Sequence, residues 1–175
     1  MKIVPAVFER HAPCMLDLLN DAVLHTTWVY DCDPHPDSYM REYFDEHAAG
    51  HYPILTAESD DGAFLGFASC GPYRHYQGYA HAAELSVYVV PSARRTGVGS
   101  ALMARLEDEC RMIGIHTLIG VIDSENLPSI KLHRKCGYEY AGTVREAGRK
   151  FDRWLSIVYY QKILEDKSSA EAVRG

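Results

Sequence analysis

The sequence has no run of apolar residues able to cross a bilayer; nothing in it approaches the ~18 consecutive apolar positions that a spanning helix needs. Met1 to Arg10 hold no apolar stretch of the kind that marks a secretory leader, so an unexported, cytoplasmic protein is expected. Basic charge is also scarce. Lys and Arg total 18 against 24 Asp and Glu, a formal net charge of −6, and that field repels a nucleic-acid backbone. Neither nucleic acid nor membrane is expected as a partner, which leaves room only for a local basic patch binding a small anion. Cysteine pairs are missing too. Cys14, Cys32, Cys70, Cys110 and Cys136 are widely scattered without a Cys-x-x-Cys, a pattern that suits neither a disulfide framework nor a zinc site and reads as reduced thiols. His47 and His51 stand four apart, but Gly50 interrupts the pattern and no third ligand is evident, so no metal is expected. Repeats and low-complexity tracts are absent, and only the polar stretch 166–175 reads as a tail, leaving 1–165 as a single domain.

What is present is an ordinary globular composition. The 175 residues are 47% hydrophobic and 24% charged. A chain this size buries roughly 70% of its unfolded surface without metal or disulfide staples. After a short apolar stretch (Ile3 to Phe8), Ala12, Met15, Leu16, Leu19, Ala22 and Val23 recur at helical spacing, and Pro36 followed by Tyr39, Met40, Tyr43, Phe44 and His47 predicts a second helix. Between them, Thr26-Thr27-Trp28-Val29-Tyr30 runs into the turn-rich Asp31-Cys32-Asp33-Pro34 as an aromatic loop. Ile54 to Glu58 and Ala63 to Ser69 predict a hairpin turning at Asp60-Asp61-Gly62 and closed by Gly71-Pro72. Then come a strand over Ala82 to Val90 and a helix faced by Val98, Leu102, Leu106, Cys110 and Ile113, with Gly114 as its stop. A strand (Thr117 to Ile122), a helix (Pro128 to Lys135) and two strands, Tyr138 to Arg145 and Trp154 to Ile163, complete the chain. Strands alternating with helices predict a mixed α/β sheet.

The most informative segment is Val87-Tyr88-Val89-Val90-Pro91-Ser92-Ala93-Arg94-Arg95-Thr96-Gly97-Val98-Gly99-Ser100, where two glycines sit as a strand turns into a helix. Glycines there let the backbone approach a ligand, and the amides of Arg94 to Gly99, with the positive helix end, can converge on a pyrophosphate. Each charge near a helix end is worth only about 0.3–1 kcal/mol, so several amides must act together. Rossmann and P-loop cradles are excluded, because Leu102 stands where a third glycine belongs and no Gly-Lys-Ser/Thr follows.

The segment resembles the acyl-CoA-binding motif Arg/Gln-x-x-Gly-x-Gly/Ala of the GNAT superfamily of N-acetyltransferases, matched by Arg94, Gly97 and Gly99. The resemblance implies a mixed, mostly antiparallel sheet of about seven strands flanked by about four helices. It implies acetyl-CoA as co-substrate, with the backbone at Val87 and Val89 pairing with the pantetheine arm and the loop Arg94, Arg95, Thr96, Gly97, Val98, Gly99 and Ser100 holding the pyrophosphate. Arg95 replaces a glycine often found there. Asn126-Leu127-Pro128-Ser129-Ile130-Lys131-Leu132-His133-Arg134-Lys135-Cys136-Gly137-Tyr138 is similar to the family segment in which Asn126 contacts the pantetheine, helped by Ser129. A helix N-cap is the alternative for Ser129. His133 stands where many members carry a tyrosine general acid for the departing thiolate, a part imidazole can play near neutral pH. A surface helix histidine is the plain alternative.

Leu132-His133 with Gly137-Tyr138, Ala83 to Val89 and Gly148 to Trp154 together resemble one subgroup, the phosphinothricin and methionine sulfoximine acetyltransferases, over Ile3 to Leu164. In that subgroup the proposed base is a glutamate just before the motif strand, which maps to Glu84. A protonated α-amino group cannot attack a thioester until it loses a proton, so a carboxylate beside it makes chemical sense; a salt-bridged strand glutamate is the alternative. Trp28, Tyr30, Tyr73, Arg74 and Tyr76, from two loops, are the candidate acceptor contacts, with Arg74 as a planar clamp for a carboxylate. Packing is the competing role for the aromatics. Direct attack by the amine is implied, so Cys70, Cys110 and Cys136 are read as packing and not as acetyl carriers. The resulting expectation is transfer of acetyl to a small amino-acid-like acceptor in a ternary complex. The rivals are a protein N-terminal or other amine acetyltransferase and a non-catalytic acyl-CoA-binding paralogue. Phe151, Trp154, Ile157, Tyr159 and Tyr160 load the C-terminal strands with aromatic and aliphatic surface, so a homodimer is expected.

Overall fold

The computed structural model describes residues 1–164; the expected tail 166–175 lies outside the described residues. Seven strands form one sheet: β1 (Lys2–Pro5), β2 (Ile54–Glu58), β3 (Phe64–Pro72), β4 (Ala82–Val89), β5 (Thr117–Asp123), β6 (Glu139–Lys150) and β7 (Arg153–Ile163). Their order is β1-β2-β3-β4-β5-β7-β6, antiparallel throughout except at β4 and β5. Four helices flank it: α1 (Phe8–His25), α2 (Tyr39–Ala49), α3 (Val98–Met112) and α4 (Leu127–Lys135). This is the expected mixed, mostly antiparallel arrangement. Strand alternation sorts the two faces. Ala68 and Cys70 of β3 with Ala83 and Leu85 of β4 pack against Leu102, Leu106 and Cys110 of α3. Phe67 goes the other way, with Met15 and Leu19 of α1 and Met40 of α2.

The parallel β4–β5 pairing determines where a ligand can enter. It covers only Ala82, Ala83 and Glu84 opposite Thr117, Leu118 and Ile119. Past that point β4 stays with β3 and β5 stays with β7, so the two strands part and leave a wedge-shaped opening between Leu85–Val89 and Gly120–Asp123. A backbone left unpaired in this way needs other partners. One expectation needs revision here: Tyr160 is 2% exposed and belongs to the core, with its hydroxyl accepting from Arg134 Nε at 3.0 Å, so it is not dimer surface.

Candidate active site

The wedge opens into a slot of about 410 Å³ between β4, β5, α4 and the turn into α3. Of the expected cofactor contacts, Val87, Val89, Arg94, Arg95, Gly97, Gly99, Ser100, Asn126 and Ser129 all line it. Thr96 and Val98 do not. Thr96 Oγ1 donates to the Ala93 carbonyl at 2.7 Å and so braces the turn, while the Val98 side chain is buried in the core. The turn owes its shape to two left-handed residues, Arg95 at φ 65° and Gly97 at φ 97°. A Cβ on Gly97 would meet nothing within 4 Å among the described residues, which leaves room above it for a ligand. Gly99 is different: its Cβ would sit 3.0 Å from Leu132, so this glycine allows α3 and α4 to approach. Lys131 and Lys135, four apart on α4, line the slot together with Arg94 and Arg95. These two lysines were missed in the sequence, although an i, i+4 basic pair on the helix after Asn126 was the available signal. Open space over Gly97 and four cations in the slot lining suit a polyanionic cofactor such as CoA.

α4 positions His133. The N-cap is Asn126, not Ser129: Asn126 Oδ1 accepts from the Ser129 amide at 3.2 Å. His133 is buried, and its Nδ1 lies 2.9 Å from the Ser129 carbonyl. A carbonyl only accepts, so Nδ1 carries the proton and Nε2 presents a lone pair. Nε2 has no hydrogen-bond partner among the described residues and faces β5 at Gly120, where a Cβ would come within 2.5 Å of it. Burial pushes the imidazole below its usual range, partly offset by the Ser129 carbonyl. The surface-histidine alternative is thus excluded by position. A general acid, however, needs the imidazolium, which this environment disfavours.

Glu84 sits at the vertex of the wedge, in the last residue pair of the β4–β5 ladder. Burial raises its carboxyl above the usual range, and the Arg74 guanidinium pulls it partly back. Glu84 stands opposite Gly71 on β3, three residues ahead of Arg74, so both belong to the same corner of the sheet. Arg74 is exposed, lies 4.2 Å over the Tyr73 ring and donates to the Tyr73 carbonyl at 2.8 Å. Tyr73 in turn meets Tyr79 edge-on, and Tyr76 is largely exposed. None of Tyr73, Arg74 and Tyr76 lines the slot; they form a loop beside its vertex. Trp28 does line it, with Arg94 5.2 Å above its ring. Tyr30 instead packs on Gly148 and donates to Asp123 Oδ2 and the Ser156 carbonyl, which gives it a fixed structural seat outside the slot.

A left-handed strand-to-helix turn at the mouth of a splayed parallel pair, with a half-buried carboxylate at the vertex, defines an acyltransferase-type site. The profile of the Acetyltransferase (GNAT) family matches residues 20–138, and the chain belongs to that family. It is 37% identical over 158 residues to the L-methionine sulfoximine/L-methionine sulfone acetyltransferase of Pseudomonas paraeruginosa, covering 90% of this chain and 92% of that one. It is 33% identical to the phosphinothricin N-acetyltransferase of Streptomyces coelicolor, covering 94% and 96%. Among solved structures, a Salmonella typhimurium acetyltransferase solved with its cofactor acetyl-CoA superposes with a TM-score of 0.90 at 31% identity, covering 95% of each chain.

Proposed function

We propose that the chain transfers the acetyl group of acetyl-CoA to the amino group of a small amino-acid-like acceptor, by direct attack in a ternary complex. The observation that carries this reading is the carboxylate of Glu84, half-buried at the wedge vertex beside the cation of Arg74. An amino acid presents an ammonium and a carboxylate to that pair. The relatives named for methionine sulfoximine, methionine sulfone and phosphinothricin act on acceptors of this kind.

When bound, acetyl-CoA supplies a thioester carbonyl activated for attack. Arg94, Arg95, Lys131 and Lys135 hold the phosphates, and the backbone at Val87 and Val89 aligns the pantetheine. Glu84 takes one proton from the acceptor ammonium, freeing the nitrogen lone pair. As the N–C bond forms, the nitrogen must shed a second proton. Nε2 of His133, an unpartnered lone pair at rest, accepts it and passes it to the departing sulfur, so no standing imidazolium is required. The reading calls for no metal, accords with a cytoplasmic setting through its five free cysteines, and includes a homodimer formed through the β6–β7 end.

The test is thiol release from acetyl-CoA across methionine sulfoximine, methionine sulfone, phosphinothricin, ordinary amino acids and peptides. Turnover with free amino-acid analogues and none with peptides is expected; the reverse overturns the acceptor class. Arg74→Ala should raise the KM for a free amino acid and change it much less for the corresponding amide. Equal losses for both would remove the clamp.

A further inference from the structure

Lys150 is a buried lysine at the end of an otherwise exposed edge strand. Only 4% of it is exposed, whereas every other position of β6 is exposed or half-buried. An ammonium is costly to remove from water unless it is bonded. This one donates to the Val29 carbonyl at 2.7 Å, 121 residues away in sequence, and lies 5.1 Å from the centre of the Phe151 ring.

The next residue of that loop is gripped by the same hairpin. The Tyr30 ring fills the space above Gly148, where a Cβ would come within 2.5 Å of it, and its hydroxyl bonds Asp123 and Ser156. At the other end the loop leaves α1 through a fixed turn, with Thr26 Oγ1 donating to the Ala22 carbonyl and accepting from the Trp28 amide. Residues 26–30 are therefore tied at both ends. Between the ties Trp28 enters the slot wall and carries the Arg94 guanidinium over its ring.

We propose that Lys150 is a positioning residue: by holding the Val29 carbonyl it stretches residues 26–30 into a strap that sets Trp28 against Arg94 and closes one wall of the acetyl-CoA slot. This role rests on the reading of the slot given above. It gives the Gly148-to-Trp154 segment a purpose that neither the cradle nor the catalytic pair supplies. A lysine suits the site because its long flexible stem can cross from the hairpin to the loop and deliver a single point donor.

The experiment uses the full chain in a Trp154→Phe background, which leaves Trp28 as the sole tryptophan because the sequence has two. Three variants are compared: Lys150→Met, Gly148→Ala, which crowds the Tyr30 seat without touching Lys150, and Tyr30→Phe. Melting curves confirm folding, and if Lys150→Met does not fold the other two still read the strap. In ligand-free protein the Trp28 emission should shift to the red and become more open to a neutral quencher in each variant. The KM for acetyl-CoA should rise about tenfold in Lys150→Met, equivalent to about 1.4 kcal/mol, with a much smaller change in kcat. Folded variants whose Trp28 emission is unmoved overturn the strap. Moved emission with an unchanged KM overturns its closing of the slot. Failure of the unsubstituted protein to bind acetyl-CoA is a separate result that strikes the functional reading, since the ligand-free spectra test the strap by themselves.

Discussion

A carboxylate that must take a proton from an ammonium works best when its own affinity for protons approaches the working pH, and burial moves Glu84 in that direction. The sign of the pH dependence follows. The deprotonated carboxylate is the active form, so kcat/KM should climb as pH rises through the raised Glu84 value. Glu84→Gln keeps the shape and removes the charge. We expect turnover at neutral pH to fall by roughly 10²–10⁴-fold, the usual worth of a positioned base, with acetyl-CoA affinity nearly intact. The deficit should shrink at high pH, where the acceptor is already a free amine. Thiol-release rates measured across pH for both proteins check this, and equal rates at neutral pH would leave Glu84 structural. The places of Glu84 and Arg74 were legible in the sequence, Glu84 from its resemblance to the subgroup segment before the motif strand and Arg74 from the aromatic loop just ahead of it. The state of His133 was not, because a tautomer depends on which carbonyl faces Nδ1, and that follows from the turn of α4.

Between elements, the contact of α4 with β5 is set by one missing side chain. Gly120 lets the His133 ring lie against the strand, with Nε2 only 2.5 Å from where a Cβ would stand. Gly120→Ala should therefore cost about 1–3 kcal/mol, as overpacking of a filled core does, and should also push the His133 ring off the strand. In a His133→Ala background the same substitution should be nearly free, because the ring that it strikes is gone. Chemical denaturation of the two single variants and the double variant gives the coupling, and additive losses would refute the contact. The element boundaries show how far a sequence reaches. Helices α1 and α3 follow from apolar residues at a 3.6 period, α3 with Gly114 as its stop, and α4 from Pro128 at its start and Gly137 past its end. Strand β6 was expected to end at Arg145 and runs to Lys150. Register shifts between Tyr140 and Gly142, and again between Val144 and Gly148, break its alternation. Its turn uses Phe151 and Asp152 at positive φ, without the glycine that announces such a turn. The point at which β4 and β5 part was equally hidden, since no local residue pattern marks where a parallel pairing stops.

At the scale of the molecule, two features govern stability and assembly. Glu58 of β2 is buried and ties the first third of the chain together: His11 Nε2 at 3.0 Å, Lys2 Nζ at 2.9 Å and Arg10 Nη2 at 2.6 Å all meet its carboxylate. Hydrogen bonds from His11 and Lys2, with the Arg10 charge, hold its pKa at about 2 against an ordinary 4.5. A depressed carboxylate contributes stability that is fully present above the ordinary value and is lost as pH falls toward the lowered one. Wild-type protein should therefore lose stability on acidification from about 4.5 to about 2 more steeply than Glu58→Gln, which starts less stable at pH 7. Parallel slopes in urea titrations at several pH values would contradict the assignment. Assembly turns on the other end of the sheet. β6 is an edge strand of 12 residues whose outer side has no neighbouring strand among the described residues, and long open edges invite pairing. Phe151 and Trp154 are 55% and 62% exposed at its tip, and Tyr140 and Val144 are exposed along it. A second copy covering this edge would bury that surface on both chains at once through a two-fold contact. Each copy carries a net charge of −6, so the copies repel at long range and the contact must be held by apolar burial. A dimeric mass is thus expected in solution at micromolar concentration, strengthened by moderate salt, which screens the repulsion. Trp154→Glu, which places a further negative charge on the covered patch, should shift the protein to monomer while leaving its melting behaviour close to that of the wild type. Light scattering across a dilution series reads both effects, and a monomeric wild-type mass at every concentration would leave the aromatic edge without a partner.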